Sequence, residues 1–187
     1  MNLDRTGRRA LVTGSSRGVG FATAVGLAGM GATVLVNGRT RESTEAAMAK
    51  AKAAAPKGRF EPAAGDLATL EGANAVIAAS RELDILVNNM SIYDVKAFQD
   101  ITDADWQTYF DTNVMSGVRL TRHFLPQMLA KNWGRVVFVS SESGINIPDE
   151  MIHYGFSKAA QLAIARGCAE LTKGTAVTVN SVLPGPT

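Results

Sequence analysis

Residues 9–20 read RALVTGSSRGVG, an apolar run that stops at Gly14 and gives way to a helical pattern from about Val19 onward. This order predicts a strand, a tight turn and a helix. The glycines of the turn are spaced by four and by two residues, which departs from the better-known dinucleotide fingerprint. Glycines let a backbone turn sharply and approach a pyrophosphate, whose charge is met by the N–H groups and positive end of the next helix. The stretch is therefore either a structural turn or a phosphate-binding loop.

The rest of the chain continues the alternation of strand and helix. Apolar runs predict further strands at 32–36, 59–64, 83–87, 135–139 and 176–182, and helical patterns predict helices at about 43–55, from about 69, at 102–131 and at 152–172. Pro62 indicates that the third strand lies at an edge, carries a bulge or ends early, and Pro126 should kink or end the long helix. The alternation predicts an α/β fold: a doubly wound parallel sheet flanked by helices, in one domain over residues 1–187.

Composition excludes several classes of protein. The 187 residues are 46% hydrophobic and 19% charged with a net charge of +2, which excludes disorder and gives no reason to expect a nucleic-acid partner. No apolar run reaches a membrane span, and no His/Cys cluster has metal-ligand spacing. The one cysteine, Cys168, cannot form an intramolecular disulfide. These features predict a cytoplasmic protein with no metal and no membrane partner.

Polar and glycine residues follow the predicted strands at their carboxyl ends, where such sheets bind ligands. Gly38-Arg39 follows the second strand, at a place where an acid would bind the ribose of NAD and an arginine would bind the 2′-phosphate of NADP. Arg17 could reach the same phosphate, so NADP is favoured over NAD, although each arginine alone could be a solvated surface residue. Asp66 either contacts the adenine or caps the following helix.

Tyr154 and Lys158 stand four residues apart on a predicted helix, so their side chains share one face. A phenol has a pKa near about 10, and a nearby cation favours its ionised form. The pair is therefore either an acid–base site or a packing tyrosine beside a solvated lysine. Asn113, an amide inside a helical pattern, needs a partner if it is buried.

Together these residues resemble the short-chain dehydrogenases/reductases, in their single-domain Rossmann-type branch. The resemblance covers essentially the whole chain and rests on Thr13-Gly14-x-x-x-Gly18-x-Gly20, Asp66, Asn88-Asn89, Asn113, Ser141, Tyr154-x-x-x-Lys158 and Pro184-Gly185.

The resemblance implies roles for four catalytic residues. Tyr154 would be the general acid or base, and Ser141 would hydrogen-bond the substrate oxygen. Lys158 would lower the pKa of Tyr154 and hold the nicotinamide ribose. Asn113 would bind a water that links Lys158 to solvent. The implied cofactor residues are Gly14, Ser16, Arg17, Gly18, Val19, Gly20, Gly38, Arg39, Asp66, Leu67, Asn88, Tyr154, Lys158, Pro184 and Gly185.

The resemblance thus implies an oxidoreductase that prefers NADP(H) and interconverts a small-molecule carbonyl and a secondary alcohol. Met90, Ser91, Ile147, Met151 and His153 are expected to line the substrate's path. The helices at 102–131 and 152–172 would pair subunits into a homodimer or homotetramer. The alternatives are a non-catalytic nucleotide-binding regulator or scaffold, favoured if a carbonyl screen finds binding without turnover, and an epimerase or dehydratase on the same fold.

Two departures from the family pattern bear on the substrate site. Asn88-Asn89-Met90-Ser91 stands where the family usually has Asn-Asn-Ala-Gly, which adds bulk beside the cofactor. The family usually continues after the Pro-Gly turn into a substrate-covering segment and a last strand, which the sequence ending at Thr187 does not contain. A chain complete at that point would have an open pocket and an unprotected sheet edge.

Overall fold

Six parallel strands form the centre of the computed structural model, which describes residues 3–185. The strands are β1 (Arg9–Val12), β2 (Thr33–Val36), β3 (Arg59–Pro62), β4 (Ile85–Asn88), β5 (Gly134–Val139) and β6 (Val177–Val182). They pair in the order β3-β2-β1-β4-β5-β6. The order reverses direction between β1 and β4, which opens a crevice at the carboxyl ends of those strands. The doubly wound parallel sheet expected from the sequence is confirmed.

The helices connect these strands and cover both faces of the sheet. They are α1 (Gly18–Gly29), α2 (Arg41–Ala54), α3 (Leu70–Ser80), α4 (Asp103–Tyr109), α5 (Ser116–Ala130) and α6 (Ile152–Glu170). Short 3₁₀ turns lie at Phe98–Asp100, Glu142–Gly144 and Asp149–Met151. No helix within residues 3–185 has the length and apolar character that crossing a bilayer requires.

Two apolar clusters hold these layers together, one on each side of the sheet. Alternate residues of a strand point to opposite faces, so Leu11 and Leu86 join the cluster under α3, α5 and α6, while Val12 and Val87 join the cluster under α1. The central strands β1, β2 and β4 are buried on both faces, which explains why they read as continuous apolar runs in the sequence.

The third strand lies at the edge of the sheet and ends at Pro62, as two of the alternatives for its proline predicted. Pro62 is the last residue of β3 and pairs with Val36, and β3 lies at the edge of the sheet. A proline cannot donate a ladder hydrogen bond, and at this edge its missing N–H leaves the pairing with β2 intact.

The long helix expected at 102–131 is corrected in the structure. A π-helical turn at Phe110–Met115 separates α4 from α5 and carries Thr112, Asn113 and Val114 into the interior. Pro126 does not end α5, which continues to Ala130. Phe124 and Met128 on either side of the proline are fully buried, and this packing outweighs the one hydrogen bond that the proline removes.

Candidate active site

A cleft of about 650 Å³ opens at the carboxyl ends of the strands. It gathers residues that are far apart in sequence because the parallel strands all end at this edge. Sixteen of the residues named from the sequence line it: Gly14, Ser16, Arg17, Gly18, Val19, Gly20, Gly38, Arg39, Asp66, Met90, Ser91, Ser141, Tyr154, Lys158, Pro184 and Gly185.

The glycine-rich turn after β1 forms one wall of this cleft. Gly14 and Gly18 have φ angles of +59° and +58°, a backbone region that other residues rarely adopt. A methyl group at Gly20 would lie 2.7 Å from the carbonyl oxygen of Gly14. Among residues 3–185 no side chain caps the start of α1, and its first turn has no acidic residue. The turn therefore offers open backbone and a positive helix end, which fits a pyrophosphate.

Two asparagines that the sequence analysis did not assign hold this turn in place. The Asn37 amide accepts from Gly14 N at 3.0 Å and donates to the Ala63 carbonyl at 2.8 Å. The Asn89 amide donates to the Thr13 carbonyl at 2.9 Å. Both asparagines lie in the cleft, directly after β2 and β4. Their position directly after a predicted strand could have indicated from the sequence that they belong to the site.

The outer end of the cleft carries the two arginines. Arg17 is exposed beside the glycine turn, and the Arg39 side chain is 71% exposed, with its Nε 3.9 Å from Asp66 Oδ2. The other carboxylate oxygen of Asp66 accepts from Ala68 N at 3.1 Å. Asp66 therefore both caps the turn before α3 and faces the cleft, while Arg39 keeps most of its donors available.

The inner end of the cleft carries Tyr154 and Ser141. Burial raises the pKa of the Tyr154 phenol, while a hydrogen bond with Ser141 acts in the opposite direction and the nearby Tyr93 adds to the increase. Ser141 also accepts from Ser143 N at 3.1 Å, which fixes its hydroxyl oxygen at the end of β5. The phenol therefore stays protonated at neutral pH.

Lys158 lies beside Tyr154, one helical turn later on α6. It is only 2% exposed, so the reading of Lys158 as a solvated helix lysine is wrong. Its Nζ donates to the Val139 carbonyl at 3.0 Å and lies 5.5 Å from the Tyr154 ring centre. Burial lowers the pKa of Lys158 to about 8. Burial is the largest influence on the pKa of Tyr154 in this structure, and the expected lowering of that pKa by Lys158 stays a prediction.

Asn113 occupies the π-helical turn and faces the loop after β4. Its side chain accepts from Ile92 N at 2.8 Å and donates to the Ile92 carbonyl at 2.9 Å and to Ser157 Oγ at 2.9 Å. Its own carbonyl oxygen accepts from the Gln161 amide at 2.6 Å. The π-helical turn thus fastens the loop after β4 to α6 through the Asn113 side chain, and the expected role of Asn113 in binding a water stays a prediction.

Comparison with known proteins agrees with this geometry. The model of the short chain dehydrogenase family matches residues 8–187. The oxidoreductase YvaG of Bacillus subtilis (strain 168) is 46% identical over 187 residues, covering 100% of this chain and 71% of that protein. The chain belongs to the short-chain dehydrogenase family. It is therefore an enzyme, a short-chain NAD(P)-dependent dehydrogenase/reductase.

Solved structures of other short-chain dehydrogenases share its architecture. L-sorbose reductase from Gluconobacter frateurii, complexed with NADPH and L-sorbose, matches with a TM-score of 0.92 and 31% identity over 99% of this chain and 72% of that one. A 3-oxoacyl (acyl-carrier-protein) reductase from Agrobacterium tumefaciens C58 with NADP bound matches with a TM-score of 0.91 and 35% identity over 98% and 72% of the two chains.

Several residues expected in the site of this dehydrogenase lie outside the cleft. Leu67 belongs to the apolar core, and the Asn88 amide donates to Thr121 Oγ1 at 3.0 Å inside the fold. Ile147 packs over Gly155, and Met151 ends a 3₁₀ turn ahead of α6. None of these four is among the residues that line the cleft, and their expected places on the cofactor or substrate path stay predictions.

His153 also departs from its expected place as a substrate-lining residue. It has no exposed surface, and its Nε2 lies 2.6 Å from Asp94 Oδ1. The Tyr109 hydroxyl donates to the same oxygen at 2.6 Å. On a helix, residues 153 and 154 point in different directions, so a cleft-facing Tyr154 turns His153 toward α4.

Besides Asn37 and Asn89, five further cleft residues were not singled out from the sequence. They are Gly65, Ile92, Tyr93, Val139 and Ser140. The Tyr93 ring meets the Tyr154 ring edge to face at 6.2 Å and is 75% exposed, so it forms the outer wall beside the phenol. Its sequence signal was its place in the loop after β4, two residues after Ser91. Within residues 3–185, no group of His, Cys, Asp and Glu side chains could hold a metal ion.

Proposed function

We propose that this enzyme prefers NADP(H) and interconverts a small-molecule carbonyl and a secondary alcohol by hydride transfer. One observation carries the proposal: the Tyr154 phenol, in one cleft with Ser141 and beside the buried Lys158 ammonium, shares that cleft with the glycine-rich turn. The turn fits a dinucleotide pyrophosphate, and the phenol lies where a bound substrate oxygen can be reached.

In the proposed mechanism the chain's own residues handle the proton. A bound nicotinamide supplies the hydride in reduction and accepts it in oxidation. Ser141 Oγ orients the substrate oxygen, and Tyr154 donates its hydroxyl proton to that oxygen as the carbon gains the hydride. The Lys158 ammonium then stabilises the phenolate left on Tyr154. A proton from solvent restores the phenol, and the alcohol leaves.

The environment of Tyr154 suits the reductive direction. A general acid must hold its proton until the transition state, and burial raises the pKa of this phenol. A nearby cation offsets the cost of forming the phenolate. Lys158 supplies that cation below its own pKa of about 8. We infer that reduction is fastest at neutral or mildly acid pH and falls as Lys158 loses its proton.

The proposed preference for NADP(H) rests on the outer end of the cleft. Arg39 and Arg17 both line it, and the Arg39 guanidinium can donate two parallel hydrogen bonds to a phosphate. Asp66 lies beside Arg39 at 3.9 Å and keeps it at the cleft. The likeness to the sorbose reductase complexed with NADPH supports the same preference.

Supporting observations extend to the substrate, the assembly and the location. Met90 and Ser91, with Tyr93, form the wall next to Tyr154 and are proposed to contact the substrate.

Phe110 and Phe156 are large apolar side chains exposed on the π-helical turn and α6, and we propose that they pair subunits into a homodimer or homotetramer. The single free cysteine supports a cytoplasmic location.

A screen of ketones and secondary alcohols with NADPH and NADP⁺, followed by nicotinamide absorbance, tests this function. Turnover with at least one pair is expected. Tight binding of NADPH without turnover across the whole screen would support the non-catalytic alternative instead. The presence of Ser141, Tyr154 and Lys158 in one cleft argues against that alternative.

A further inference from the structure

Gln161 lies between two residues of the candidate site, Lys158 on α6 and Asn113 on the π-helical turn. Its side chain is 2% exposed and lies one turn after Lys158 on α6. Its Nε2 donates to the carbonyl oxygen of Asn113 at 2.6 Å, and its Oε1 lies 3.4 Å from Lys158 Nζ. One amide therefore connects the π-helical turn to the buried ammonium.

The choice of an amide at this buried position has a physical reason. An isolated amide costs free energy when it leaves water, so a residue that only filled space would favour an apolar side chain here. An amide has one donor end and one acceptor end on a rigid plane. Each end of Gln161 meets the group that it needs, a carbonyl at the donor end and an ammonium at the acceptor end.

Lys158 depends on such acceptors because it is buried. Its other recorded acceptor is the Val139 carbonyl on β5, at 3.0 Å. The aromatic neighbour on its own helix is Tyr154, with the ring centre 5.5 Å away. Burial destabilises the charged form of an ammonium, and a carbonyl oxygen pointed at it opposes that effect.

Acidic side chains on the elements packed against α6 have other partners. Asp111 of the π-helical turn pairs with Arg119, and Asp105 of α4 pairs with Lys96. Glu142, in the 3₁₀ turn after β5, contacts Asn146. The remaining acids on these elements, Asp103 of α4 and Asp149 and Glu150 of the turn before α6, are exposed. Burial therefore accounts for the lowered pKa of Lys158.

We propose that Gln161 is a positioning residue that holds Lys158 charged and in place beside Tyr154 by joining its ammonium to the main chain of Asn113. This inference rests on the proposed function, because it acts through Lys158. It also assigns a role to the π-helical turn, because that turn places the Asn113 carbonyl oxygen where Gln161 Nε2 can donate to it.

The experiment compares wild type with Gln161→Met, which keeps the length of the side chain and removes both hydrogen bonds. In Gln161→Met we expect kcat for reduction to fall about tenfold, with KM nearly unchanged, because a hydrogen bond to a charged group is lost. The alkaline fall in kcat should move to lower pH by about 1, since the ammonium loses its proton more readily. Ser80→Ala is the matched control, because it removes a buried hydroxyl whose bond is to Val76 of α3.

A second experiment measures the protonation of the Lys158 ammonium and does not depend on turnover. Protein labelled with ¹³C at lysine Cε is titrated by NMR in the absence of cofactor, and the Lys158 signal is assigned from its loss in Lys158→Met. The proton affinity of Nζ should fall about tenfold in Gln161→Met. It should rise above wild type in Gln161→Glu, where a carboxylate faces the ammonium. The Gln161→Glu titration also provides a result if the methionine variant does not fold.

A pH profile and a lysine titration that are both unchanged in Gln161→Met would overturn the proposal. The proposed function would stand in that case if Tyr154→Phe were inactive. Full activity in Tyr154→Phe would instead contradict the proposed function, while the lysine titration would still report on Gln161 alone.

Discussion

At the scale of single residues, burial has opposite effects on the two titratable groups of the site. It raises the pKa of the Tyr154 phenol and lowers the pKa of the Lys158 ammonium, so in each case the neutral form is favoured. The phenol is therefore protonated at neutral pH, and the ammonium, with a pKa of about 8, keeps most of its charge there. A protonated phenol beside a cation that can stabilise its phenolate suits the reduction of a carbonyl.

Arg39 gives the sharpest single-residue test of cofactor choice. Arg39→Ala should weaken NADPH binding by about tenfold or more, because a charge-assisted pair with the 2′-phosphate is removed, and should leave NADH binding nearly unchanged. Titration of both cofactors by fluorescence measures this. Arg41→Ala is the control, since Arg41 is a nearby arginine that is also exposed and pairs with Glu45 on α2. Equal affinity of the wild type for NADPH and NADH would contradict the preference.

At the scale of elements, the turn between β1 and α1 and the π-helical turn organise the cleft. The first was visible in the sequence because its glycines interrupt an apolar run and open a helical pattern. The second was not, because 102–131 has a continuous helical pattern and a π turn adds a residue without a break in hydrophobicity. Asn113 was the one residue in that stretch whose type indicated a reason beyond packing.

Two glycines of α1 test the role of the first turn. Gly20→Ala should abolish NADPH binding, because the added methyl group would lie 2.7 Å from the Gly14 carbonyl and crowd the Asn89 amide. Gly26→Ala, on the same helix, meets nothing within 4 Å and should bind cofactor normally. It should also raise the free energy of unfolding by up to about 1 kcal/mol, because alanine favours the helix. Calorimetric titration and thermal melting measure both effects. Normal NADPH binding by Gly20→Ala would contradict the role of this turn.

At the scale of the whole molecule, the sheet was predictable because its central strands are apolar on both faces and polar residues follow the strand ends. All six strands, the edge place of β3 and the position of the cleft agree with the expectations. Three features were not predictable from the sequence: the burial of His153, the hydrogen bonds of the Asn113 side chain to Ile92, and the contacts of Gln161. Each depends on how α4, α5 and α6 pack together, which no local pattern records.

The buried Lys158 makes the stability of the whole fold depend on pH. Its pKa is about 8 in the folded chain against 10.5 ordinarily, so between these values the unfolded chain binds more protons and stability rises with pH. From pH 8 to pH 10 this gain should be about 2 kcal/mol in the free energy of unfolding. Urea unfolding of wild type and Lys158→Met across this range measures it. A gain as large in Lys158→Met as in wild type would show that other groups cause it.

The central claim is that the Tyr154 phenol transfers the proton that accompanies the hydride. Tyr154→Phe removes only the hydroxyl from a ring that packs against Tyr93. The most direct measurement is kcat of this variant with NADPH and a carbonyl found active with the wild type, alongside its affinity for NADPH. We expect a loss of at least about a hundredfold in kcat with NADPH affinity within threefold of wild type, because a general acid contributes about 10² to 10⁴. Turnover at the wild-type rate would contradict the proposed role of Tyr154.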